Sequence, residues 1–201
     1  TAGAAADREG ITLFLVEAGA EGLAIERQHR VDERGAALVS LDGVVVAGDA
    51  GVGAEGQGGA LLEEVVDAAT VALCAEMLGA MSECFERTLA YLKDRVQFGV
   101  PIGSFQAVKH QLADALKELA FAKPAVRRAA HTLADRDVSM AKAMASDAAE
   151  TVGRVALQAH GAIGYTVEYD LHLFLKRAWA LSRSWGSSAD HRTRVADAIG
   201  V

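Results

Sequence analysis

The stretch DRVQFGVPIGSFQAVKHQLAD, residues 94–114, separates two long helical patterns and sets the architecture of the chain. Gly99, Pro101 and Gly103 punctuate a tight turn. Before it, apolar residues recur at 62, 65, 66, 69, 73, 77, 80, 81, 84, 85 and 92. That three-and-four spacing predicts one amphipathic helix from Leu61 to Arg95. After the turn, Ser104 is a candidate N-cap for a second helix reaching about Arg136, with Pro124 placed to kink it.

Working outward, a third helix is predicted from about Ser139 to His160, stopped by Gly161. A fourth follows from about Val167 to Arg183, and Ser188 to Ile199 adds a short last one. Four long helices with short connections predict a mainly α fold, an antiparallel four-helix bundle. Several are apolar over more than one stripe, the pattern of helices that bury a second face against another subunit. Upstream the character differs. ITLFLVE (11–17) reads as a strand between Gly10 and Gly19, and GLAIERQHRVDE (22–33) offers another. AALVSLDGVVVAG (36–48) holds two β runs hinged at Asp42-Gly43, a hairpin dipeptide. The expected division is therefore 1–58, a partial β domain with a Gly-rich connector, and 59–201, the helical bundle. The opening TAGAAADREG carries no initiator Met and reads as the start of a fragment or processed chain.

Composition narrows the function. The net charge is −7 with no basic stripe, which argues against nucleic acid and anionic membrane as partners. No run approaches the roughly 18 apolar residues of a membrane span. Cys74 and Cys84 lie in one predicted helix, about 15 Å apart at 1.5 Å per residue, beyond the roughly 7 Å a disulfide bridges. They are expected to be free thiols in a reducing, cytoplasmic compartment. Neither the cysteines nor the histidines have metal-ligand spacing.

A second stretch, LQAHGAIGYTVEYDLHLFLKRA (157–178), completes a pair with the first. Together, and in this order, they resemble the acyl-CoA dehydrogenase family: the helices its C-terminal bundle, the β segment the second half of its middle domain. The resemblance implies an FAD-dependent α,β-dehydrogenation of an acyl-CoA thioester. In that reaction the flavin takes a hydride and a carboxylate removes the α-proton. It also implies that the family's N-terminal helical domain and the first half of its β domain lie outside this sequence.

The family's cofactor contacts carry over residue by residue. RVQFG places Arg95 toward the FAD diphosphate of a neighbouring subunit, with Gln97 nearby and Phe98 covering a ring edge. A guanidinium fork suits phosphate oxygens. Gln106 takes the position of an amide that also meets FAD. QAHGAIG maps Gln158, His160, Gly161 and Gly164 onto a motif of small residues approaching the adenosine half, with Ala162 replacing a second glycine. Without the resemblance, Arg95 is a cation favoured at a helix C-terminus and Phe98 is a core anchor.

The substrate side departs from the family. ALSRSWGSSADH (180–191) puts Trp185 where most members keep the catalytic glutamate, and indole cannot accept a proton at neutral pH. Gly186 and Ser187 keep the small and hydroxyl positions that follow, Ser187 on the cofactor side. Ala69 stands where some relatives place their base, Thr70 where members carry an arginine, and only Asp67 keeps the expected acid there. Three readings result. The first is a non-catalytic subunit that contributes FAD contacts to a catalytic paralogue in a hetero-oligomer and passes electrons to an electron-transfer flavoprotein or other acceptor. It resembles actinobacterial paralogues acting on steroid or other bulky CoA thioesters. The second is a competent homo-oligomer using Asp67 or Glu76 as base; the third is a flavin-free helical scaffold.

Overall fold

The computed structural model describes residue 7 and residues 9–201; residues 1–6 and 8, most of the TAGAAADREG opening, lie outside the described residues. The chain divides into two compact units, one ending at Val66 and the other starting at Asp67.

The first unit is a set of short antiparallel pairings. β1 (Leu13–Phe14) pairs with β4 (Gly51–Val52), and β2 (Leu23–His29) pairs with β3 (Gly35–Leu41) in a register running from Leu23 opposite Leu41 to His29 opposite Gly35. Two expectations are corrected. Only the middle of ITLFLVE forms a strand. The hairpin turn falls at 30–34, where Glu33 takes φ 59° and its N–H donates to Arg30 O at 3.0 Å, not at Asp42-Gly43. Residues 44–47 form no strand; Asp42 N instead donates to Gly22 O at 2.9 Å, which closes the open end of the hairpin. Ile25, Leu38, Val39 and Leu41 remain exposed, and none of this unit's described large apolar side chains is buried.

The second unit holds the core. α1 (Gly58–Asp94), whose residues from Asp67 on belong to this unit, is followed by the β5–β6 hairpin (Val96–Gln97 and Val100–Pro101), then α2 (Gln106–Thr132), α3 (Asp135–His160), α4 (Leu171–Arg183) and α5 (Ser188–Ile199). The fold is the expected mainly helical bundle, preceded in sequence by small antiparallel β segments. By length and composition α1 would pass for a membrane span, contrary to the sequence reading. Its apolarity has another use, because Leu73, Cys74, Met77, Met81, Cys84 and Leu92 are sealed into the core. Burial pushes the thiols of Cys74 and Cys84 up to about 12, so both are protonated and inert at neutral pH.

α3 is the central pillar. Its buried face is rich in alanine (Ala141, Ala145, Ala148, Ala149 and Ala156 among them), which lets neighbouring helices approach closely. At Gly153 even a methyl would sit 2.9 Å from Trp179 Nε1 of α4. Helix limits also shift. Ser104 is not the N-cap of α2: its Oγ donates to Pro101 O at 2.7 Å, and Phe105 holds the cap position. α2 runs through Pro124 and stops at Thr132, where Leu133 turns left-handed at φ 47°. α3 then starts four residues earlier than predicted. Its buried Asp137 accepts from Arg128 Nε at 2.8 Å and Thr132 Oγ1 at 3.0 Å, bonding the two helices at their junction. α4 begins at Leu171 rather than near Val167: residues 161–165 form a 3-10 turn and residues 166–170 continue it in bends and turns.

Candidate functional site

The two motifs that carry the resemblance converge at one end of the bundle. Arg95 follows α1 directly, and its carbonyl accepts from Ile102 N at 2.8 Å, fixing the β5–β6 hairpin that follows. The hairpin turns on Phe98 and Gly99, both left-handed at φ 55° and 81°. A two-residue turn of this kind matches the twist of its strands, and glycine takes it freely, whereas phenylalanine does not. Phe98 is also 91% exposed, touched edge-on by Phe105 at 6.1 Å between centroids. It is therefore no core anchor. Arg95 and Gln97 are exposed, Gln97 Nε2 donating to the neighbouring Val96 O at 2.7 Å. No carboxylate among the described residues pairs with Arg95. Gln106, at the first turn of α2, is exposed with Nε2 3.0 Å from His110 Nε2.

The end of α3 lies against this region. A cavity of about 180 Å³ is lined by Ile102, Val108 and Gln111 on one side and Val155, Gln158 and Ala159 on the other, so Gln158 faces the start of α2. His160 is buried, stacked on Tyr91 of α1 at 4.4 Å and tilted against Tyr169 at 4.9 Å. Its Nδ1–H donates to Ala156 O at 2.8 Å, which leaves Nε2 to accept from the Tyr169 hydroxyl at 3.3 Å. Burial holds its pKa below the usual histidine range. The ring is thus neutral and committed on both nitrogens. Gly161 caps α3 at φ 61°, and buried Gly164 packs back on it, where a Cβ would lie 3.0 Å from His160 Cβ.

The structure does not bring the substrate-side residues to that end. Trp185 lies in the turn between α4 and α5, which Lys142 near the start of α3 contacts. Lys142 and His160 are 18 residues apart in one helix, roughly 27 Å at 1.5 Å per residue. Trp185 is left-handed at φ 58° and 54% exposed. Ser187 is the N-cap of α5: its Oγ donates to Asp190 Oδ2 at 2.7 Å, and Asp190 Oδ2 also accepts from Ser187 N at 2.8 Å. Asp67 is nearly buried and accepts from Arg194 Nη2 at 3.2 Å, while Arg194 also pairs with Asp135. Glu76 is gripped on both oxygens by Arg177, at 2.6 and 2.7 Å, tying α1 to α4. Thr70 is fully buried. Sequence reasoning missed Lys142, fully buried in α3, and His191, buried in α5. Neither carries a motif.

A helical bundle with an exposed Arg-x-Gln-Phe-Gly hairpin and a small-residue turn closing its third helix defines a class. Residues 56–200 match the family model for the acyl-CoA dehydrogenase C-terminal domain, and the chain belongs to that family, which uses FAD. Among curated relatives, the acyl-CoA dehydrogenase IpdE2 of Mycolicibacterium smegmatis is 40% identical over 131 residues, covering 65% of this chain and 42% of that protein. FadE34 of Mycobacterium tuberculosis is 41% identical over 140 residues, covering 66% and 20%. The chain thus spans less than half the length of these relatives. Among solved structures, the Tcur3481–Tcur3483 steroid ACAD matches at a TM-score of 0.82 with 34% identity, covering 94% of this chain and 52% of that one. The ChsE4–ChsE5 complex from Mycobacterium tuberculosis matches at 0.84 with 26% identity, covering 94% and 52%.

Proposed function

We propose that this chain is a non-catalytic subunit of a heteromeric, FAD-dependent acyl-CoA dehydrogenase, lending cofactor contacts to a partner subunit that carries the base. One observation carries the reading. Apart from Ser187, which caps α5 beside Trp185, the cofactor-side residues gather at the C-terminal end of α3 and the base position near its start, so neither end alone makes a complete site. Each end supplies half of a site that a second subunit completes.

The residues at the hairpin end fit the diphosphate and rings of FAD. Arg95 offers an exposed guanidinium for phosphate oxygens, Phe98 an exposed ring held in a strained turn, and Gln106 an amide at the start of α2. Gln158, Gly161 and Gly164 line or shape the adjoining surface, and His160 acts behind it, fixing the end of α3 rather than touching the cofactor. FAD supplies the hydride acceptor when bound. At the other end, Trp185 offers no atom that can take a proton, and the neutral indole leaves the α-carbon of a thioester without a base. Ser187 serves the backbone of α5. The 34% and 26% identical solved assemblies, each named for two chains, and the steroid substrate named for one of them support a hetero-oligomer acting on a bulky CoA thioester. The two buried free thiols support a reducing, cytoplasmic setting.

The test is dye-linked acyl-CoA oxidation by the full-length protein alone and together with a glutamate-bearing paralogue. Activity is expected only for the pair; robust turnover by the chain alone overturns the proposal. The relocated-base reading has little support, since Asp67 and Glu76 are both held by arginines. Turnover by the chain alone that Glu76→Gln or Asp67→Asn abolishes would revive it. A flavin absorbance band in the purified pair, reduced by Arg95→Gln, argues against the scaffold reading.

A further inference from the structure

The turn that presents Trp185 is held from two other helices. Lys142 lies in the alanine-rich face of α3 with no solvent exposure, and its ammonium donates to three oxygens: Ser146 Oγ at 3.1 Å, Ser182 O at 2.9 Å and Gly186 O at 2.9 Å. The two carbonyls bracket Trp185, one in the last turn of α4 and one past the bend. Burying an ammonium is unfavourable, and a position that only needed filling would take leucine or methionine. No carboxylate hydrogen-bonds this one among the described residues; Asp190 and Cys74 act on it only through space, as does Arg183. Its charge is spent on joining two backbone carbonyls across a turn.

His191 of α5 grips the same turn from the other side. It is 1% exposed, its Nε2–H donates to Trp185 O at 2.8 Å, and its Nδ1 has no hydrogen-bond partner among the described residues. Gly186 sits at φ 99°, and a Cβ there would lie 3.0 Å from His191 Nε2, so the grip closes only on glycine. Ser184 Oγ donates to Ala180 O at 2.9 Å, and the Ser187–Asp190 capping box holds the exit. A bulky residue in the left-handed region persists only where its surroundings over-determine it. These do.

We infer that Lys142 and His191 are positioning residues that clamp the 184–187 turn and so fix the direction in which residue 185 is presented. The functional weight of this rests on the proposal that position 185 faces the thioester, but the clamp itself does not. The turn is then a rigid platform on which the family's chemistry at 185 can be exchanged without rebuilding the backbone.

Hydrogen exchange on the full-length protein, without substrate, tests it. In Lys142→Met the amides of Ser184, Ser187 and His191 should exchange at least about tenfold faster, with α1 and α2 unchanged, as expected of a local opening. His191→Phe should loosen the same amides, and His191→Gln, which can still donate to Trp185 O, should restore them. Unchanged turn amides in Lys142→Met, or an equal acceleration throughout the bundle, overturn the inference. Should Lys142→Met not fold, identical exchange in His191→Phe and His191→Gln overturns it instead. Because the measurement needs neither flavin nor thioester, its failure is distinct from failure of the proposed function.

Discussion

Two turns in this molecule do the same unusual thing by different means. Phe98-Gly99 and Trp185-Gly186 each place an aromatic residue and then a glycine in the left-handed region, and each leaves the aromatic exposed. The first is local: a two-residue hairpin set by its own strands, with one edge contact from Phe105. The second is built from afar, by a lysine more than 40 positions earlier in the chain and a histidine from the following helix. A hairpin can form from its own sequence, so its aromatic is displayed on a tip. A clamped turn needs the finished bundle, so its aromatic is held at a fixed angle.

Changing the chemistry at the clamped turn should have the largest effect. Trp185→Glu restores a carboxylate on the same backbone, and turnover at this chain's own, otherwise inactive site is expected to rise by about 10²–10⁴, the usual contribution of a general base. Dye-linked oxidation of the full-length variant alone checks this, and no gain would separate position 185 from the reacting thioester. Next comes the hairpin end. Arg95→Gln removes a charge-assisted contact to phosphate, typically about 1.5–3 kcal/mol, so FAD should bind the assembly roughly 10- to 150-fold more weakly. Flavin release in a titration reads it directly.

Smaller effects separate strain from support. Phe98→Asn should stabilise the protein by about 1 kcal/mol in urea, since asparagine tolerates the left-handed region better, while lowering flavin content. The distal histidines predict a pH dependence. His160 and His191 are both depressed by burial, so between their folded pKa values and about 6.5 the unfolded chain binds more protons. The stability they contribute is present above about 6.5 and lost as pH falls below it. Urea midpoints should therefore drop between pH 7.5 and pH 5, and His191→Gln should flatten the curve.

The same contrast explains what the sequence makes legible. The helices announce themselves through three-and-four spacing, and the break between α1 and α2 through Gly99, Pro101 and Gly103, because both signals are local; the β5–β6 pairing within that break is not announced. Asp42-Gly43 carries an equally strong local signal, yet the turn forms at 30–34, where cross-strand pairing from Leu23 to Leu41 outweighs dipeptide preference. The α2–α3 junction is displaced because Asp137, an acid in the first turn of α3, bonds back to Arg128 and Thr132. Lys142 is the clearest omission: a lysine among alanines reads as a solvated face, and only the path of α4 reveals its partners. His160 shows the converse: its motif suggests a ligand contact, and only the structure reveals that both ring nitrogens have internal partners.

The two thiols of α1 have a use beyond packing. With Cys74 and Cys84 sealed in the interior and protonated, an alkylating reagent can reach them only when the bundle opens, so their labelling rate is a built-in gauge of how often it does. A partner subunit that docks on this chain and steadies it would slow that clock, turning a pair of unreactive sulfurs into a readout of assembly.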